Sequence, residues 1–415
     1  MTTTPILTPE RERGLLLTLA GIQFVHIVDF MVMMPLGPIL MREFGVGTHE
    51  FGLLVSAYTF SASISGLLVA SVVDRFERKR MLLVLFALFA LATLACGLAP
   101  GFATLMLARC AAGTFGGVLG AMVQTMVGDL IPFERRGRAS GTIMAAFSAS
   151  TVAGVPASLF LANHFGWRSP FIFIAVISCG FLALGWKVLP TLRGHVAAAT
   201  ERVHLLSALG EVLRDGNHMK ALAFMSLVIF SGFTVIPYIT IYVVGTVHIP
   251  QTQIPLIYLC GGIASFFSAR WIGHRADRHG KVKVYRLLAL ASIAPLLIQT
   301  HLVPVPLWVM LICSTLFFIL VPGRMVPAMA IVTSAAQPQL RGTFLSINAA
   351  VQQFASGLAA FVGGLIIGTN AAGEIVRYNW AGYLATAATL AAIVRVGQVA
   401  MHTSAGKVTG AGGGG

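Results

Sequence analysis

Acidic residues are scarce in this sequence: 14 Asp and Glu stand against 28 Lys and Arg in 415 residues, and charged residues make up only 10%. With 57% of the chain hydrophobic, that shortage excludes a soluble globular protein and predicts a polytopic protein held by the lipid bilayer. Paired cysteines are lacking too. Cys96, Cys110, Cys179, Cys260 and Cys313 each lie inside an apolar run with no C-x-x-C spacing, which excludes a disulfide framework and a thiolate metal site. Only one histidine, His26, lies deep in an apolar run, so there is no haem or metal pair and no cofactor is expected. Paired catalytic groups and a sizeable soluble domain are missing as well, which argues against an enzyme or a receptor. The first apolar run is too long for a signal-peptide core and lacks a small-residue cleavage site after it, so no cleavable leader is expected.

What the chain has is long apolar runs. Windows of about 19 residues place spans near 14–40, 51–73, 81–99, 102–130, 138–163, 168–190, 218–246, 251–273, 283–303, 305–334, 342–369 and 378–400. The expected fold class is therefore an all-α membrane protein of twelve transmembrane helices. Basic residues collect in alternate loops. Arg75, Arg78, Lys79 and Arg80 follow the second span, Arg135, Arg136 and Arg138 the fourth, Arg193, Arg202, Arg214 and Lys220 the sixth, and Arg275, Arg278, Lys281 and Lys283 the eighth. The opposite loops offer only Arg42, Arg168 and Arg377, and the positive-inside rule puts both termini in the cytoplasm. The net charge of +14 thus reports orientation, and no nucleic-acid partner is expected.

The turn after the second span, Ala70 to Lys79 with Asp74 and Arg75, returns as Gly273 to Lys283 with Asp277 and Arg278, a shift of 203 positions; Arg136-Gly137 returns as Arg341-Gly342. Such shifts imply two pseudo-symmetric six-helix halves in one orientation. The expected domains are a first bundle over 1–190, a linker over 191–217, a second bundle over 218–400 and a disordered tail over 401–415. Leu205, Leu206, Leu209 and Leu213 fall on one face, which predicts a short surface helix in the linker.

Asp29 is the only acid placed deep in a span; the other acidic residues fall at or beyond span ends. A charged aspartate at membrane depth costs about 2.5–3.5 kcal/mol on insertion scales, so its presence demands a reason. Arg109, about seven residues into the fourth span, lies within a few ångström of the same depth at about 1.5 Å per residue, close enough for an ion pair. Gly113, Gly116, Gly120 and Gln124 share the side of Arg109, a small-residue face expected to turn into the bundle. On one reading Asp29 alternates between ionised and protonated forms, Arg109 lowering its proton affinity in one state and burial raising it in another. On the other it is half of a permanent structural salt bridge. His26, one turn before Asp29, is either a proton relay or a hydrogen-bonded packing residue.

These residues and turns resemble the major facilitator superfamily over about 14–400. Gly273 to Lys283 is similar to that family's G-x-x-x-D-R-x-G-R/K turn, and the first copy departs at Ala70 and Glu77, which puts the geometry of the first turn in question. Within the family the chain looks most like the twelve-helix drug and sugar efflux group of proton antiporters, through the acid of the first span, Arg109-Cys-Ala-Ala-Gly113 and Gly154-Val155-Pro156, the last a departure from the antiporter glycine-proline motif. The resemblance implies a gating role for Asp74, Arg75, Arg78, Asp277, Arg278 and Lys281, pinning the two halves together in one state and releasing them in the other. Their plainer role is helix capping or pairing with neighbouring arginines.

In the second half the polar residues within spans are mostly uncharged. Tyr238 and Tyr242 in the seventh span, Asn348 and Gln352 in the eleventh, with Gln124 from the first half, are expected to line a site for a neutral or weakly polar solute. Arg324, beside Pro322-Gly323, either draws an anion into that site or satisfies carbonyls freed by the break. The expectation is a monomeric, multi-pass secondary transporter of the cell inner membrane, not an enzyme. It would move a small organic solute outward by alternating access in exchange for protons. A facilitator or symporter of a sugar or metabolite without proton exchange is the alternative, with a membrane receptor or enzyme a distant third.

Overall fold

The computed structural model of the chain describes residues 9–70, 76–190, 205–337, 339–370, 374–402 and 408–409. Asp74 and Arg75, both expected to gate, and the linker before Leu205 lie outside the described residues. The apolar runs fold as helices because a backbone without water must satisfy its own N–H and C=O groups. Leucines, valines and tryptophans such as Leu91, Leu107, Val176, Trp186, Leu287 and Val394 stay exposed on the outside, as helices facing lipid require.

Eleven described helices are long and apolar enough to cross a membrane. A further long helix, Tyr378–Val396, is rich in alanine, with tyrosine, asparagine and tryptophan in its first turns; it fits the twelve-helix fold without meeting the same apolarity. The internal repeat is visible in the elements themselves, since Phe102–Leu130 and Leu307–Ala335 are offset by 205 residues at both ends.

The contacts divide the chain into two compact units, residues 1–33 with 57–202, and residues 34–56 with 203–415. The first unit contains α1 (Pro9–Val32), the larger part of α3 (Thr48–Ala70), α4 (Arg78–Gly97), α5 (Phe102–Leu130), α6 (Phe133–Ala149), α7 (Val155–Phe165) and α8 (Ser169–Val188). Here α4 lies between α5 and α8, and α1 packs on α6 and α8. The first span is not one helix to residue 40: it stops at Val32, and α2 (Gly37–Phe44) starts after a turn. Pro35 and Pro38 explain the break, because each proline lacks an N–H and disfavours helix in the residue before it. Asp29 therefore stands in the last turn of α1, not at mid-helix. The fifth span is interrupted too, by a π-helical turn over Ser150–Gly154, where Pro156 has no N–H to offer.

The second unit adds α9 (Leu205–Arg214), α10 (Gly216–Phe233), α11 (Ile239–Gly245), α12 (Ile254–His279), α13 (Lys281–Thr300), α14 (Leu307–Gly323), α15 (Met325–Ala335), α16 (Arg341–Ile366) and α17 (Tyr378–Val396). The linker helix forms as expected, but Leu213 is exposed and Val212 is fully buried, so the face through Leu209 and Val212 is the one that packs on the core around Phe224, Tyr285 and Phe344. In the tail, Val408–Thr409 pairs antiparallel with Met401–His402. The two repeated turns differ as their sequences suggest. Gly280 takes φ +88°, whereas Glu77 at the corresponding place in the first copy is extended at φ −60°.

The start of α10 is fixed by Asp215, whose side chain accepts from the backbone N–H groups of Asn217 at 2.7 Å and His218 at 2.9 Å, and from the Gln337 amide. Partial burial pushes its carboxyl up, but the His218 N–H, the charge of His218, the Asn217 N–H and the Gln337 amide outweigh it and hold the carboxyl below its ordinary value. A depressed carboxyl stabilises the fold above its unfolded value and loses that contribution as pH falls through the folded one. Asp215→Ala should therefore cost about 1 kcal/mol at neutral pH. In thermal unfolding, the gap from the unchanged protein should close as the pH is taken below 3.8, the ordinary aspartate value; a gap independent of pH would contradict the cap.

Candidate functional site

Three helices of the first unit meet at Asp29. The Arg109 side chain on α5 reaches its Oδ2 from Nη1 at 2.9 Å and its backbone carbonyl at 3.4 Å, and the Thr93 hydroxyl on α4 donates to Oδ1 at 3.2 Å. Asp29 is 0% and Arg109 1% exposed, so this is a desolvated ion pair and not a surface one. The guanidinium also lies 4.4 Å over the Tyr58 ring of α3, a cation–π contact in a water-poor site.

The approach is close because α5 presents glycine. A Cβ on Gly113 would fall on the Tyr58 carbonyl, and one on Gly116 would lie 2.5 Å from the Tyr58 hydroxyl and 3.1 Å from the His26 ring. On the other side of α1 the π-turn does the same work. A Cβ on Gly154 would collide with Val28, the residue before Asp29, and Ser150 Oγ donates to the Phe24 carbonyl at 3.1 Å. The Gly154-Val155-Pro156 stretch thus holds the helix that carries the acid.

His26 sits edge-on to Phe89 at 5.9 Å, and neither of its ring nitrogens has a hydrogen-bond partner. Gln23 Oε1, the Tyr58 hydroxyl and Arg109 Nε are likewise buried and unpartnered. Together they form a polar seam between α1 and α5 opposite Gly116 and Gly120. The glycine face is not buried along its length: Gly113 and Gly116 are, Gly120 is half-buried, and Gln124 is exposed, about 22 Å along the helix from Arg109 at about 1.5 Å per residue.

The second unit places its expected site residues differently. Tyr238 donates to the Ala360 carbonyl and Tyr242 to the Leu302 carbonyl at 2.6 Å, so both hydroxyls are engaged by backbone. The Tyr242 ring also lies 4.6 Å from that of Tyr378, tilted by 41°. Asn348 is buried with an unpartnered Oδ1, and Gln352, one turn on, meets the Met329 sulfur at 3.8 Å. Arg324 does not serve the carbonyls of the α14–α15 break. Its Nη1 donates to Ser292 and Thr389 at 3.2 and 2.8 Å and its Nη2 to Ser231 at 2.8 Å, three hydroxyls on α13, α17 and α10.

Of the turn residues, Arg78 is buried and pairs with Asp129 at 3.2 Å, tying α4 to the end of α5, and Lys281 donates to Ser334 at 3.0 Å. Asp277 and Arg278 are exposed in the last turn of α12, and among the described residues Asp277 forms no ion pair with a neighbouring arginine. Sequence reasoning missed Thr93, Tyr58 and the three hydroxyls around Arg324. Thr93 had a signal, being the lone hydroxyl between Met81 and Cys96, as is Ser292 between Arg286 and Leu297. Among the described residues no group of three His, Cys, Asp or Glu side chains converges as a metal site would need.

The family model described as Major Facilitator Superfamily matches residues 19–360 and again 222–409. The chain is 25% identical over 360 residues to the Uncharacterized MFS-type transporter YceJ of Bacillus subtilis (strain 168), a match that covers 86% of this chain and 88% of that protein. It is 21% identical to a Probable sugar efflux transporter of Pasteurella multocida (strain Pm70), covering 76% of each. Among solved structures the D-xylose-proton symporter superposes with a TM-score of 0.73 at 17% identity, over 93% of this chain and 97% of that one. A bacterial homolog to human lysosomal transporter Spinster superposes at 0.71 and 15% identity, over 94% and 95%. The solved structures carry the fold, and the matched model, which spans most of the chain, carries the family: this membrane transporter belongs to the Major Facilitator Superfamily.

Proposed function

We propose that this chain exports a small organic solute across the cell inner membrane by proton antiport, as a monomer with both termini in the cytoplasm. The observation that carries the reading is the Asp29–Arg109 pair: the one buried carboxylate among the described residues is held by a guanidinium and a hydroxyl, and the guanidinium in turn lies against an aromatic face. Proton and guanidinium compete for the same oxygens. Protonation from outside neutralises Asp29 and frees Arg109, and deprotonation toward the inside restores the pair. The polar seam of Tyr58, His26 and Gln23 supplies the route, because buried polar atoms without protein partners are commonly served by water. The sugar efflux relative supports an exported, sugar-sized solute. Asn348 and Gln352, with polar atoms not bonded to backbone, are better placed to meet it than the hydroxyls of Tyr238 and Tyr242. The charged turns with Asp277, Arg278, Lys281 and Arg78 serve the change of state.

Two tests follow from this cycle. A permanent salt bridge that loses one partner costs about 3–5 kcal/mol, whereas a carrier must tolerate a neutral Asp29 in part of its cycle. Asp29→Asn is therefore expected to fold with a loss well below that range. In liposomes loaded with a pH-sensitive dye, it should fail to move protons when solutes from a sugar and metabolite panel are added. A variant that does not fold, or one that still moves protons, contradicts the exchange. His26→Leu should slow solute-driven proton flux by roughly tenfold or more while leaving solute-for-solute counterflow intact. Equal proton flux in the two proteins would remove His26 from the route.

A further inference from the structure

Arg324 is a fully buried cation without a carboxylate. It is 1% exposed, and no described acid lies within ion-pair distance. The sequence offers none to its helix layer: after Asp215 only Asp277, at the end of α12, and Glu374, between α16 and α17, carry acid. Arginine does not shed its proton in proteins, and a buried charge calls for a counter-charge.

The three hydroxyls around it are oriented as acceptors. Ser231 and Thr389 direct their hydrogens to the Ala385 carbonyl at 2.8 Å, and Ser292 directs its hydrogen to the Ala289 carbonyl at 2.8 Å. They spread the charge over helix carbonyls but supply no negative charge. Of the five guanidinium N–H groups, three are used; Nε has no partner. The buried hydroxyl of Tyr285, two turns before Ser292 on the same face of α13, has none either. Arg109 also has a free Nε, but Asp29 matches its charge.

We propose that Arg324 Nε, the second hydrogen of its Nη2 and the Tyr285 hydroxyl bind a small monovalent anion, either a free halide or a carboxylate borne by a solute. One negative charge would complete the set: the guanidinium offers it two N–H donors and Tyr285 one O–H donor, while the three hydroxyl oxygens hold the remaining N–H groups of the guanidinium. The site lies wholly in the second unit and shares no residue with the Asp29 pair, so it stands or falls independently of proton exchange.

The test is thermal unfolding of the purified full-length protein in detergent at constant ionic strength. Sodium gluconate is replaced stepwise by sodium chloride, by sodium bromide or by sodium acetate. Saturable stabilisation by chloride and bromide identifies a free-halide site; saturation by acetate alone identifies a carboxylate subsite. Either dependence should vanish in Arg324→Gln. Because that variant may fail to fold for want of its hydroxyl contacts, Tyr285→Phe is the second probe. It removes only one donor and should weaken the anion by roughly fivefold, the size of one neutral hydrogen bond. A flat response to all three anions in the unchanged protein overturns the proposal, as does an identical response in Tyr285→Phe.

Discussion

A charge taken into hydrocarbon must be matched, and the interior of this transporter is built around two guanidinium groups that meet that demand in different ways. Arg109 is matched by a carboxylate, itself held by a hydroxyl, and by an aromatic face. Arg324 is held by three hydroxyls whose hydrogens are already turned to helix carbonyls. The first arrangement closes its own charge; the second leaves it open.

The helices around the first pair are shaped by that closure. Glycine on α5 lets the backbone of α3 approach, and the π-turn with Gly154 lets the fifth span press on α1 beside Asp29. A bulkier residue at either place would separate the carboxylate from its donors by more than a hydrogen bond tolerates. Thr93 fixes the second oxygen, so the carboxylate has few orientations open to it while ionised. The unpartnered atoms of Tyr58, His26 and Gln23 lie along the same seam beside the ion pair, opposite Gly116 and Gly120.

Much of this was legible in the residues. Span positions, the repeat and the depth match of Asp29 with Arg109 all follow from apolar run length and helical rise. Other features were not, because they depend on tertiary partners. The break of the first span at Met33–Leu36 looked like continuous hydrophobicity, although Pro35 and Pro38 were its signal. The linker helix buries Val212 and exposes Leu213 because its orientation is set by the core it meets, which a leucine count does not see. Serine and threonine in membrane helices commonly bond to their own preceding turn, as Ser292 and Thr389 do, so even a lone hydroxyl in a span does not announce a buried arginine as its partner. The aromatic hydroxyls of Tyr238 and Tyr242 read as solute contacts by type, yet backbone carbonyls claim both.

The central claim is that solute and proton are exchanged at one carboxylate, and calorimetry of solute binding to the purified protein tests it most directly. Titrations in two buffers of different ionisation enthalpy report the protons released or taken up per solute bound. The account predicts a net proton exchange that disappears in Asp29→Asn while solute binding persists. Identical heats in the two buffers for the unchanged protein, or a proton count untouched by the substitution, would contradict it.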